Sequence, residues 1–183
     1  MNPNIFVVAS DRSACLSPLH ASSSRWRYRS QALINIAKQY QPHSSIVADT
    51  LHLPHPDSSF DFAISIAVIH HLSTTGRRVQ AIEALLRTIK PCVDGGKLLI
   101  FVWALEQGTS RRGWDTGHEQ DVMVPWVMKG QKGSDEDKIY KRYYHLYQNG
   151  ELERDIVAAG GTVIDSGYEK DKWWAIAVRK EKS

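Results

Sequence analysis

Cysteine is scarce in this sequence: Cys15 and Cys92 are the only two in 183 residues. They stand far apart and form no CxxC pair, so neither a zinc site within the chain nor a disulfide scaffold is expected, and lone thiols suit a reducing compartment, cytosol or nucleus. Long apolar runs are missing too. The longest, Phe62 to Ile69 and Leu98 to Leu105, are about eight residues each against the roughly 20 that cross a bilayer. The opening residues, MNPNIFVVASDRS, carry no basic stretch and no long apolar core, so they do not read as a secretory signal. A large charge of one sign is also absent. Net charge is +3, so any reading as an RNA-binding chain must rest on local basic and aromatic groupings rather than on bulk electrostatics.

What is there is enough apolar material, 42% of residues, for one core of ordinary size, and one domain over residues 1–183 is the expectation. Ile5 to Ala9 is a β-branched run ending at Ser10 and Asp11, the mark of a buried parallel strand with an acid at its carboxyl end. Residues 14–30, Ser-rich and basic with Pro18, have no period and read as a loop. Apolar residues at 33, 34, 36, 37 and 40 predict a helix from Gln31 to Tyr40, stopped by Pro42. Ser45 to Ala48 reads as a second strand closed by Asp49, and Phe62 to Val68 as a third, buried on both faces.

From Thr75 the pattern places Val79, Ile82, Leu85, Leu86 and Ile89 on one helical stripe ending before Pro91. Lys97 to Leu105 follows as a fourth strand. Strands alternating with helices at this spacing predict a parallel α/β sheet. Residues 106–148, rich in Gly, Arg and aromatics without a clean period, read as an insertion on the substrate side of the sheet's carboxyl edge. A helix from Glu151 to Ala159 stops at Gly160-Gly161. The strands Thr162 to Tyr168 and Trp173 to Arg179, joined by EKDK, predict an antiparallel hairpin.

In a doubly wound sheet, ligands bind beyond the carboxyl ends of the strands, where the loops diverge into a crevice. Asp11, Asp49 and the pair His70-His71 fall at such ends. A carboxylate there accepts hydrogen bonds from vicinal ribose hydroxyls, the role suited to Asp11, or from an exocyclic amine on adenine, the role suited to Asp49. Each acid alone is more often a cap of a helix or loop; their repetition at successive strand ends favours the site. If strand alternation continues past Val68, His70 faces the crevice and His71 packs under Leu72.

Several segments carry a resemblance: SDRS, IVADTLHLPHPDSSFDFAISIAVIHHL, RRVQAIEALL, GGKLLIFVWALEQ, QDVMVPWV, RYYHLY and GYEKDKWW. Together they resemble the fungal tRNA wobble-uridine carboxymethyl methyltransferases and the methyltransferase domain of the animal AlkB homologue that modifies the same nucleoside. The likeness covers residues 10–13 and again 31–174, and VWALEQ with GYEKDKWW is its most specific part. It implies a class I, Rossmann-like fold that uses S-adenosyl-L-methionine to methylate the carboxylate of 5-carboxymethyluridine in the tRNA anticodon loop. By position it implies that Asp11 holds the cofactor ribose, Asp49 with Thr50 the adenine, and Ala67, Val68 and His70 the methionine side and the substrate. It also implies a partner, a small zinc-containing activator protein pairing with the edge strand Ser45 to Ala48.

The family's first strand and Gly-rich turn would precede Ile5, where this sequence has four residues, and residues 14–30 have no family counterpart. The expectation is therefore an insertion at 14–30 and a sheet with a gap at its centre, between the strand ending at Asp11 and the one from Phe62. Such a chain would be poorly stable alone.

A carboxylate nucleophile is ionised at pH 7 and needs no general base, so alignment is the main catalytic demand. Arg111, Arg112 and Arg142, with His70 or His145, are the candidates for holding the carboxylate or flanking phosphates. Trp103, Trp114, Tyr143, Tyr144 and Trp173 offer stacking faces to an extruded base, although most aromatics serve in packing. Two other readings compete: an inactive methyltransferase-like module that binds tRNA or the activator, and a methyltransferase acting on a small acid.

Overall fold

The computed structural model describes residues 5–9, 48–92, 95–108, 110, 112–128 and 138–180, of which 5–9, 126–128 and 138 are described by their backbone. Asp11, Arg111, the helix expected at Gln31 to Tyr40, the segment 14–30 and residues 45–47 of the strand expected at Ser45 to Ala48 lie outside the described residues; Ala48 itself is not in a strand. The elements are β1 (Ile5–Ala9), β2 (Phe62–Ile66), a 3-10 turn (Ile69–His71), α1 (Thr75–Thr88), β3 (Lys97–Trp103), β4 (Asp121–Met128), β5 (Lys138–His145), α2 (Glu151–Ala158), β6 (Gly161–Glu169) and β7 (Lys172–Arg179).

The main sheet has the order β1-β2-β3-β7-β6. Its first three strands run parallel and β7 and β6 antiparallel, so the expected mixed α/β sheet with a terminal hairpin is present. One expectation is corrected. β1 lies directly beside β2 in unbroken register, from Ile5 opposite Phe62 to Ala9 opposite Ile66, so the gap foreseen between them does not exist. Five β-branched or apolar residues match the five of β2 in length, and pairing satisfies backbone groups that a gap would leave bare.

α1 and α2 cover one face of this sheet. Thr74 caps α1, its hydroxyl accepting from the Arg77 N–H at 3.3 Å. The helix buries Arg78, Ala81, Ile82, Leu85 and Leu86, with Ile89 just beyond, against Ala63, Leu98, Ile100 and Val102 of the sheet and Leu152 and Ile156 of α2. Each fully buried Ile or Leu contributes roughly 1.5–3 kcal/mol. Arg78 sits in the stripe where the sequence pattern placed Val79, because its charge is met by acids on α2.

β2 is shorter and less buried than expected. It ends at Ile66, which is 45% exposed, while Ala63 and Ser65 on the helix-covered face are wholly buried. β3 likewise ends at Trp103 rather than Leu105.

The segment 106–148 holds β4 and β5, paired antiparallel as a separate two-stranded sheet that the sequence reading missed. Pro125 in β4 and the basic run in β5 hid the alternation of Val122, Val124, Tyr144 and Leu146. Pro is tolerated here because a two-stranded ribbon is all edge. β5 is tied back to β3: Leu105 N–H donates to Tyr147 C=O at 2.8 Å, and Tyr147 N–H to Trp103 C=O at 2.9 Å.

Candidate active site at the carboxyl ends of the parallel strands

Beyond Ile66 the chain does not continue as strand. Ala67 takes a left-handed conformation, φ 58°, with its N–H donating to Phe101 C=O at 3.1 Å. A non-glycine residue held there is strained, and such positions cluster at binding and catalytic sites. The chain then winds through the turn Ile69–His71, so the strand alternation used to assign the two histidines stops at Ile66.

The turn reverses that assignment. His70 is the interior ring, with no exposed surface, and His71 is the half-buried one. The ring of His70 stacks on Tyr144 at 5.1 Å and meets His71 edge-on at 4.5 Å. Its Nδ1 accepts the Trp103 backbone N–H at 3.2 Å. Burial draws its pKa well below the usual imidazole value, and the neighbouring His71 and His145 push the same way. His70 is therefore neutral, and with Nδ1 accepting, its proton is on Nε2. That Nε2 is buried and has no hydrogen-bond partner among the described residues.

His71 has the complementary tautomer. Its Nδ1–H donates to Tyr143 C=O at 3.0 Å, which leaves Nε2 as an acceptor. Burial lowers its pKa, the carbonyl bond partly offsets this, and the charge of Arg142 lowers it further. Arg142 itself is 6% exposed, so the guanidinium expected to meet substrate is buried beside His71 instead.

Trp103 closes the carboxyl end of β3. Its indole stacks on Tyr144 at 4.5 Å and lies 6.2 Å from Trp114, with Val122, Val124, Leu105 and Leu146 completing an apolar cluster. The exposed Arg112 places its guanidinium carbon 5.1 Å from the Trp103 ring centre and 5.3 Å from that of Trp114.

The loop carrying Arg112 is pinned by the two family-specific motifs, a role the sequence did not reveal. Glu106 accepts from the Trp173 indole N–H and the Asn149 N–H, both at 3.0 Å, and its own carbonyl accepts the Tyr168 hydroxyl at 2.7 Å. Buried Gln107 donates to Ala104 C=O at 2.6 Å and accepts from the Ser110 hydroxyl at 3.2 Å, while its N–H donates to Trp114 C=O at 2.8 Å.

His145, expected to bind an anion, is committed elsewhere. It donates from Nδ1 to Asp121 at 2.8 Å and from Nε2 to Glu151 at 2.7 Å, which requires the doubly protonated ring. Burial opposes that charge, but the two carboxylates prevail and raise its pKa. Glu151 and Asp155 also meet Arg78 at 3.4 and 3.5 Å, so one charged network ties α1, β4, β5 and α2 together. His145 and Asp121 are 24 residues apart in the chain, too far for local spacing to show the pair.

Asp49 and Thr50 lie in a tight turn, with His52 N–H donating to Asp49 C=O at 3.0 Å. One Asp49 oxygen accepts the Leu51 N–H at 3.0 Å, which is the capping role that competes with ligand binding. The other lies 3.7 Å from His52 Nδ1, and the side chain is 63% exposed.

A family model described as a methyltransferase domain matches residues 28–100. The tRNA (carboxymethyluridine(34)-5-O)-methyltransferase of Schizosaccharomyces pombe is 44% identical over 190 residues, an alignment spanning 97% of this chain and 74% of that protein. The enzyme of the same name from Saccharomyces cerevisiae is 33% identical over 238 residues, spanning 98% and 78%. An S-adenosylmethionine-dependent methyltransferase structure from Methanosarcina mazei has a TM-score of 0.59 at 16% identity, covering 81% of this chain and 78% of that one, and shares the fold.

Two features of the described residues fit an adenosyl sulfonium. The exposed carboxylate of Asp49 keeps an oxygen able to accept from an exocyclic amine, and the left-handed turn at Ala67, beside exposed Ile66, presents backbone and an apolar edge at a strand's carboxyl end.

Proposed function

The chain belongs to the tRNA (carboxymethyluridine(34)-5-O)-methyltransferase family, and from that premise we propose that it methylates the carboxylate of 5-carboxymethyluridine at the tRNA wobble position, with S-adenosyl-L-methionine as methyl donor. The observation that carries the reading is the aromatic cluster of Trp103, Trp114 and Tyr144, which seats neutral His70 at the carboxyl ends of β2 and β3 and holds Arg112 at its rim.

The methyl donor supplies an electrophilic methyl group on a sulfonium sulfur. Asp11 is assigned to its ribose, Asp49 with Thr50 to its adenine, and Ala67 and Val68 to its methionine side. The substrate carboxylate is ionised at neutral pH, so no side chain has to remove a proton. What the chain must do is fix the carboxylate oxygen and keep water out, a positioning effect of about 7–11 kcal/mol when well made. His70 acts here as a positioning residue. Neutral and sequestered, it ties the turn after β2 to the end of β3 through the Trp103 N–H and keeps both in register.

Arg112 is exposed and is assigned to the nucleic acid. Trp103 and Trp114 supply indole faces near it, and Arg111 is assigned to flanking phosphates. A small zinc-containing activator is the proposed partner, covering the segment Ser45 to Ala48 that the sequence pattern reads as an edge strand; support comes from the family resemblance and from the general hazard of an uncovered apolar strand edge.

Incubation with tritiated S-adenosylmethionine and tRNA bearing 5-carboxymethyluridine, with and without the activator, tests the reading. Label in the tRNA and none in free carboxylic acids supports it. Cofactor binding with no transfer to any tRNA under either condition would leave an inactive module as the function.

A further inference from the structure

Arg112 is a cation in an unusual setting. Its guanidinium lies over two indoles, 5.1 and 5.3 Å from their centres, and it forms no ion pair among the described residues. A cation held over indole faces is attracted by the ring quadrupoles, and that attraction uses none of the guanidinium's N–H donors. Those donors form the planar fork that matches a carboxylate two-to-two.

The backbone of Arg112 is also tied back to the sheet by hydrogen bonds. Arg112's own N–H donates to the Ser110 hydroxyl at 3.2 Å, Ser110 is held by Gln107, and Gln107 is anchored at the end of β3. The loop leaves the sheet at the carboxyl end of a parallel strand, where this fold gathers its ligands. Trp103, which supports the guanidinium, lies 6.0 Å ring to ring from buried His70. A phosphate-steering arginine needs no such support, since charge alone attracts a backbone phosphate.

We propose that Arg112 is the specificity determinant of the site: its guanidinium, oriented by Trp103 and Trp114, reads the negative charge of the carboxymethyl group on the wobble base. This rests on the functional reading above for the identity of that base. It assigns to one residue the distinction between a carboxymethyl side chain and a neutral one.

The test uses the full chain and three synthetic anticodon stem-loop RNAs, carrying at the wobble position 5-carboxymethyluridine, its neutral isostere 5-carbamoylmethyluridine, or uridine. Binding is measured by fluorescence anisotropy over a range of salt. The wild-type chain should bind the carboxymethyl RNA about tenfold more tightly than the other two, the size expected of a charge-assisted hydrogen-bonded pair. Arg112→Gln should bind all three alike, at the weaker wild-type affinity and with an unchanged salt slope. Arg112→Lys should recover only part of the preference, because an ammonium neither stacks nor forks.

A phosphate contact would instead weaken all three RNAs equally in Arg112→Gln and lower the salt slope by about one. That result overturns the proposal, as does equal binding of the three RNAs by wild type or an unchanged preference in Arg112→Gln with a wild-type melting temperature. Discrimination is read from binding, so methyl transfer remains a separate test: charge preference without transfer would contradict the functional reading and leave the role of Arg112 standing.

Discussion

The backbone N–H of Trp103 donates to Nδ1 of His70 at 3.2 Å, and this one bond fixes which nitrogen of a fully buried histidine holds its proton. It also joins the turn that follows β2 to the last residue of β3, the two places where the site is built.

Removing that acceptor separates the two. His70→Ala should slow methyl transfer at least tenfold, about 1.4 kcal/mol in the barrier, with a smaller change in S-adenosylmethionine affinity. His70→Asn, whose side-chain oxygen can take the place of Nδ1, should recover much of the rate. Single-turnover rates on both variants, with folded fraction checked by near-ultraviolet dichroism, decide it; equal loss in both would place the role at Nε2 instead.

The network around His145 makes stability depend on pH in a defined direction. Its folded pKa lies above the unfolded value near 6.5, so its contribution is complete below that pH and fades as pH rises through the raised value. For Glu151 burial pushes the pKa up, but the hydrogen bonds from His145, the Gln148 N–H and Gln120 together lower it, so it adds stability that is lost in acid as pH falls through its depressed value. His70 and His71, both lowered, work against the fold as pH drops below 6.5, so the whole-protein profile mixes signs. The difference between wild type and His145→Gln isolates the network. It should be roughly 2–4 kcal/mol at pH 6 and shrink towards pH 8, read from urea melts at each pH.

Glu106 binds two elements at once, the Asn149 backbone and the Trp173 indole, and fixes the base of the Arg112 loop. Glu106→Ala should speed amide exchange across 106–118 and raise the KM for tRNA several-fold. Exchange in α1 and β3 should stay unchanged. Faster exchange throughout would mean that Glu106 holds the whole fold rather than the loop.

Much of the scaffold was legible in the sequence, because it is periodic. The helical stripe from Ile82 to Ile89 and the hairpin around EKDK follow from spacing and turn chemistry, and the structure places both within a residue or two. The site was less legible. A left-handed Ala67 has no sequence signature, and it begins the turn that places His70 inward after a strand that seemed to run on. β4 was masked by Pro125, and the partners of His145 lie on other elements, at Asp121 and Glu151. The direct pairing of β1 with β2 was hidden for a different reason: strand order is a property of the whole sheet, and a family likeness suggested a place between them.

Gly167 lies beneath Trp174, where an added Cβ would come within 2.8 Å of the indole. Gly167→Ala should cost roughly 1–3 kcal/mol through the shifted ring, with a change in tryptophan emission and a lowered urea midpoint. An unchanged midpoint and emission would mean the hairpin can yield without cost.

This chain esterifies the carboxylate of a modified wobble uridine. Mass spectrometry of nucleosides from treated tRNA measures it most directly. Incubation with S-adenosylmethionine and the proposed activator should convert 5-carboxymethyluridine into a nucleoside heavier by one methylene, which mild alkali returns to the starting mass as an ester must. A product stable to alkali, or unmodified 5-carboxymethyluridine after incubation with folded, cofactor-binding protein and activator, would contradict the account.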